Sequence, residues 1–176
     1  ASRKILFLMT GSIAAYKACA LISKLRQAGH QVQVVASSAA LHFVGAATLE
    51  GLSGQAALSD LWEPGQAMAH IHLMRQSDLV VVAPASAHFI NRVGHGVGDD
   101  LLTTLMLAHD FTRPVLLAPA MNTAMYLHPA TQESLRILRS WGLQILESAS
   151  GVLACGENGY GRLLEPEALM LEIEKV

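Results

Sequence analysis

The residues best suited to chemistry in this chain stand in short turns. Gly11-Ser12-Ile13-Ala14-Ala15 follows an apolar segment and opens a helix. At a helix start, free backbone N–H groups and the helix dipole favour an anion. Gly11 lets the backbone approach a ligand, and Ser12 adds a hydroxyl donor. The pattern is not G-x-G-x-x-G, so a single phosphate, as in a mononucleotide, suits it better than a dinucleotide. An ordinary strand-to-helix turn capped by Ser12 would read the same way. Two further serine turns, at Ser37 and Ser86, favour the phosphate pocket.

His70 opens the stretch His70-Ile71-His72-Leu73. An imidazole ordinarily titrates near neutral pH, so His70 reads as a general base or as a polar surface histidine. A metal site built from His70, His72, His88 and His95 is the weakest reading. No carboxylate or cysteine stands at a matching ligand spacing, and Asp99-Asp100 read as a helix start. No metal is expected. Cys19 falls near an apolar helix face and reads as core. Cys155 sits in Ala154-Cys155-Gly156-Glu157-Asn158-Gly159-Tyr160-Gly161-Arg162. Long glycine-rich loops of this kind either serve as functional lids or simply cover surface.

The elements that must position these residues alternate between strand and helix. Residues 5–9 are a short apolar run, the pattern of a strand buried on both faces. Ala14, Ala18, Leu21, Ile22 and Leu25 share one helical face, and Gly29 is placed to end that helix. Strands are expected at 32–35, 79–83, 114–118 and 143–146, with a brief extended piece at 58–62. Helices are expected after Ser86, at about 100–108, at 131–141 and at 166–175, and short helices broken by glycines between 37 and 54. Residues 148–162 read as one long loop. This order predicts an α/β fold: a Rossmann-like, doubly wound, mostly parallel sheet forming one domain over residues 1–176. Ligands of such sheets sit outside the carboxyl ends of the strands. The turns at Thr10-Gly11-Ser12, Ala36-Ser37-Ser38, Pro84-Ala85-Ser86 and Pro119-Ala120-Met121-Asn122 all fall on that rim.

Composition narrows the function classes. The chain has 176 residues, 52% hydrophobic and 15% charged, which suits a packed domain and argues against disorder. So little charge leaves apolar surface to be covered in subunit contacts. The net charge is −2 without a Lys/Arg cluster, so nucleic acid is not an expected partner. No apolar run is long enough for a bilayer, so no membrane association is expected. The two cysteines, Cys19 and Cys155, are far apart, which suits the reducing cytoplasm as the location.

Five segments together resemble the homo-oligomeric flavin-containing cysteine decarboxylases over almost the whole chain. They are residues 11–17, His70-Ile71, Pro84-Ala85-Ser86-Ala87, Pro119-Ala120-Met121-Asn122 with Met125, and the loop from Ala154 to Arg162. The likeness is greatest to the branch that decarboxylates phosphopantothenoylcysteine in coenzyme A biosynthesis, whether free-standing or as half of a bifunctional chain. The resemblance implies FMN as cofactor, bound by Gly11, Ser12, Ile13, Ser37, Ser86, Ala87, His88, Phe89, Ala120 and Met121. It implies that His70 is the catalytic base and that Asn122 holds the substrate carboxylate and amide. It implies that Val152, Leu153 and Ala154 close over the substrate and that Cys155 donates a proton late in the cycle. It also implies a homo-oligomer, a trimer or an assembly of trimers, with the site between subunits and a small-molecule substrate ending in a cysteine carboxylate. Two positions depart from the family's usual pattern: His88 stands where Asn is common, and His72 where Glu is common. A peptidyl-cysteine decarboxylase that stops at an enethiol, and a non-catalytic FMN-binding regulator, are the competing expectations.

Overall fold

A computed structural model describes residues 1–147, 151–152 and 158–176. Five parallel strands form the main sheet in the order β2-β1-β3-β4-β5. They are β1 (Lys4–Met9), β2 (Gln31–Ala36), β3 (Leu79–Ala85), β4 (Val115–Pro119) and β5 (Gln144–Ile145). Parallel strands need crossovers, and helices supply them on both faces. The helices are α1 (Ala15–Gln27), α2 (Ala46–Ser53), α3 (Ala69–Gln76), α4 (Ala87–Gly94), α5 (Leu101–Leu107), α6 (Thr123–Leu127), α7 (Pro129–Ser140) and α8 (Pro166–Glu174).

The strand order reverses between β1 and β3, so the crevice of a doubly wound sheet opens there, at the carboxyl ends. All seven residues of β3 are buried, as a strand covered on both faces requires. Alternate residues of β1 feed two cores. Ile5, Phe7 and Met9 pack with α1, α2 and α8, while Leu6 and Leu8 pack with residues of α4, α5 and α7. Cys19 is half-buried against the first core, and burial raises its thiol pKa. At the far end of α1, Gly29 takes φ 89°, the left-handed conformation that ends a helix cheaply only at glycine.

Some elements differ from the sequence expectation. Of residues 58–62 only Leu58 pairs, through a parallel bridge to Val35, and the chain then turns, with the Trp62 N–H donating to Asp60 Oδ1 at 2.8 Å. His70 lies inside helix α3, which the sequence reading did not foresee. A short helix, α6, follows Asn122 directly. The stretch expected as one long loop contains two paired antiparallel strands, β6 (Gly151–Val152) and β7 (Asn158–Gly159). No helix among the described residues is long and apolar enough to cross a membrane.

Candidate active site

The rim is assembled by backbone groups that the strand ends leave free. Thr10, the first residue after β1, is 3% exposed. Its hydroxyl donates to Pro84 O at 2.6 Å and accepts the Ser86 N–H at 2.8 Å. The Ser37 N–H donates to Met9 O at 2.9 Å, tying the β2 turn to the end of β1. The Ala120 N–H donates to Ala85 O at 3.0 Å, tying the β4 turn to the end of β3. Four turns from four strands are thus bonded into one ledge.

Each serine turn is locally self-supporting. Ser12 Oγ accepts the Ala14 N–H at 3.1 Å, and Ser37 Oγ accepts the Ala40 N–H at 3.1 Å. Ser86 caps α4 by accepting the Phe89 N–H at 3.2 Å, a contact generally worth about 1 kcal/mol. Among the described residues, the N–H groups of Ser12, Ile13, Ser38, Ala39, Ala87 and His88 have no protein acceptor. Open N–H groups at helix starts are the donors that an anion needs.

A cavity of about 330 Å³ lies among these turns, within the range usual for small-molecule sites. Thr10, Gly11, Ser37, Ser38, Ala39, Ser86 and His88 supply its polar side. Phe89, Leu102 and Met125 supply apolar walls. Asp100 lines it too, with Oδ1 held by the Thr103 N–H at 2.8 Å in the capping box of α5. Such a cavity can hold a phosphorylated ligand with a flat apolar part: donors at one side, aliphatic and aromatic faces at the other.

The structure brings together Gly11, Ser37, Ser86, His88 and Phe89 from the expected set. Ser12, Ala87, Ala120 and Met121 lie in the adjoining turns without lining the cavity. Ile13 is 59% exposed and faces away from the core. His70 and Asn122 also lie outside the cavity lining. His70 stands in the first turn of α3, the helix that leads into β3. His70 Nδ1 is buried and has no hydrogen-bond partner among the described residues. Among them, no three His, Cys, Asp or Glu side chains gather as a metal site would require. The sequence reading put the turns holding Thr10 and Ser38 on the rim without assigning those two residues a ligand, and it missed Ala39, Asp100, Leu102 and Thr103 as cavity residues. Thr10 and Ser38 were within reach, because each adjoins a residue already singled out.

Asn122 is the N-cap of α6. Its Oδ1 accepts the Met125 N–H at 2.9 Å, which leaves the Nδ2 amide as a free donor among the described residues. Both ends of the segment around residues 148–157 fasten to this helix. On one side, Tyr126 Oη donates to Glu147 Oε1 at 2.5 Å, and Arg139 pairs with the same carboxylate. Burial first, and then the Glu147 carboxylate, push the Tyr126 phenol up to about 12. On the other side, Thr123 Oγ1 donates to Tyr160 O at 3.0 Å, and the Tyr126 and Tyr160 rings stack 6.3 Å apart. Val152 pairs with Asn158 across the two short strands. Leu153, Ala154 and Cys155 lie outside the described residues.

Comparison with known proteins agrees with this architecture. The chain is 46% identical over 167 residues to the coenzyme A biosynthesis bifunctional protein CoaBC of Mycobacterium bovis, a match that covers 95% of this chain and 40% of the relative. The chain therefore spans less than half the length of that curated relative. Among solved structures it superposes on a PPC decarboxylase mutant complexed with pantothenoylaminoethenethiol. There the TM-score is 0.88 at 30% identity, covering 99% of this chain and 98% of the other. The FMN binding protein AtHal3 matches with a TM-score of 0.85 at 30% identity, over 99% and 96% of the two chains. All of residues 1–176 match the Flavoprotein family, and with the parallel sheet and its rim cavity in place, the chain belongs to that family.

Proposed function

We propose that this chain is an FMN-dependent decarboxylase of phosphopantothenoylcysteine, and that residues 1–176 act as one flavin domain. The observation that carries the reading is the rim cavity. Open N–H groups and three serine turns surround it on a chain that superposes on a PPC decarboxylase across 99% of its length. FMN fits the donor set: its phosphate would sit on the turns at Gly11-Ser12-Ile13, Ser37 and Ser86-Ala87-His88. Its ring would lie toward Phe89 and the turn at Ala120-Met121.

The chemistry explains why these residue types are needed. A cysteine carboxylate attached through an amide has no electron sink, and loss of CO2 would leave a bare carbanion at Cα. FMN, when bound, supplies a two-electron acceptor for the hydride of the substrate Cβ and can return it at the end. With the thiol oxidised to a thioaldehyde, the C=S bond lies β to the carboxylate, and departure of CO2 delivers electrons to sulfur as an enethiolate.

His70 takes the thiol proton as general base. Its buried, unpartnered Nδ1 is supporting evidence for a group that finds its partner only in the assembled, substrate-bound site. Asn122 directs its Nδ2 amide at the substrate carboxylate, because Oδ1 is already committed to Met125 N–H. Cys155 returns a proton to the enethiolate, and Val152, Leu153 and Ala154 cover the substrate and exclude water.

A homo-oligomer, as a trimer or an assembly of trimers, completes the site between subunits. Two observations support this: His70 does not line the cavity of its own chain, and Ile13, Tyr16 and Phe43 near the rim are at least half exposed. The free thiol of the substrate suits the reducing cytoplasm.

The test is a substrate trial. The FMN-loaded protein is offered phosphopantothenoylcysteine and a peptide ending in cysteine, with products read by mass spectrometry. The reading expects phosphopantetheine with its saturated thiol from the first and little product from the second. Preference for the peptide, with an enethiol product, would move the chain to the peptidyl-cysteine decarboxylases.

A further inference from the structure

Thr10 is the polar side chain that spans the first and third turns of the rim, and its geometry is unusually constrained. It is 3% exposed. Its backbone N–H donates to Pro84 O at 3.2 Å. Its hydroxyl donates to the same carbonyl at 2.6 Å and accepts the Ser86 N–H at 2.8 Å. One hydroxyl therefore acts as donor and acceptor between the end of β1 and the turn that starts α4. The pairing of β3 with β4 shifts register after Val82 and resumes at Ala85 opposite Pro119, so the ladder anchors Ala85, while the Ser86 N–H is held by Thr10.

We propose that Thr10 is the positioning residue that sets the distance between the two anion-binding turns, acting through Ser86. This rests on the FMN reading given above. With the Thr10 hydroxyl in place, the Ser86 peptide is fixed, and with it the cap on Phe89 N–H and the open N–H groups of Ala87 and His88. Gly11, the next residue along the chain, faces the same cavity. Without the hydroxyl, the Ser86 N–H is left to compete for another acceptor, and the α4 donors lose their aim at a phosphate that Gly11 and Ser12 hold from the other side. Even a partly buried N–H deprived of its acceptor is costly. The relaxation that relieves it is a rotation of the very turn that carries the donors.

The experiment measures FMN affinity by flavin fluorescence quenching for the wild-type chain, Thr10→Val, Thr10→Ser, Ser86→Ala and the Thr10→Val/Ser86→Ala double variant, each with far-UV circular dichroism and a melting curve. Thr10→Val should keep the fold and bind FMN at least about tenfold more weakly. Thr10→Ser, which keeps both hydrogen bonds, should bind within a few-fold of wild type. The double variant should lose less than the two single losses combined, because both act through one turn. If Thr10→Val precipitates, Thr10→Ala takes its place, with the same expectation. Wild-type affinity in the variant lacking the hydroxyl would overturn the proposal. So would a Thr10→Ser loss as large as that of Thr10→Val, or strict additivity with Ser86→Ala. A wild-type chain that binds no FMN would instead overturn the reading on which the proposal rests.

Discussion

The Met121 N–H donates to Gly161 O at 2.8 Å, and a Cβ on Gly161 would lie 2.4 Å from Met121 O. The turn carrying Asn122 and the segment that follows Cys155 are thus in direct backbone contact. Gly161 holds φ 103°, a conformation open to glycine and strained for other residues. Two motifs that stand more than thirty residues apart in sequence are thus joined by a contact that a side chain would block.

Asn122→Asp separates structure from chemistry. Aspartate caps a helix as well as asparagine does, so α6 should survive. The Nδ2 donor is replaced by a negative oxygen that repels the substrate carboxylate. Decarboxylation should fall by roughly 10²-fold or more, with FMN binding and melting temperature near wild type. Steady-state kinetics beside a flavin titration check this, and retained turnover would contradict the assigned role.

His70→Asn should abolish most turnover and leave the protein yellow. The general base is expected to contribute about 10²–10⁴-fold. His70 Nδ1 makes no hydrogen bond among the described residues, so its removal breaks none there. The measurement is kcat against stability in the same preparation. A parallel loss of both would mean that the histidine is structural.

Cys155→Ser should stall the cycle after CO2 has left. A hydroxyl is a far poorer acid than a thiol, so the unsaturated thiol should accumulate in place of the saturated product. Mass spectrometry of the quenched reaction distinguishes the two, and a normal yield of saturated thiol would remove Cys155 from the mechanism.

Alkaline pH should loosen the foot of this region. The Tyr126 phenol is raised to about 12, above the ordinary value of about 10. A folded-state pKa above the unfolded one gives stability that is fully present below about pH 10 and lost as pH rises toward 12. Because Tyr126 is only partly buried, solvent screens the effect to a fraction of the full linkage value. Tyr126→Phe should flatten this part of the stability profile in denaturant titrations between those pH values. An unchanged slope would mean that Tyr126 does not couple to folding.

The sheet was legible in the sequence because its strands are buried on both faces and read as unbroken apolar runs, β3 above all. The closing helix was legible from Pro166 at its first turn. Helix α3 was not, because Met68 at its start supplies no side-chain cap and its residues mix polar and apolar types with few buried. Tertiary packing rather than local preference makes it helical. The two-residue strands β6 and β7 were hidden by glycines, which carry no β preference. The three serine turns were visible one by one. That they surround one cavity with Asp100, Leu102 and Thr103 was not, because only the crossovers bring α5 to the rim. The roles proposed for His70 and Asn122 rest on the family resemblance and not on spacing.

The central claim is that the rim binds FMN. Purified chain mixed with excess FMN and passed through gel filtration should carry flavin absorbance with the protein peak, in an amount matching the chain. A folded protein that elutes colourless from that mixture would contradict the account.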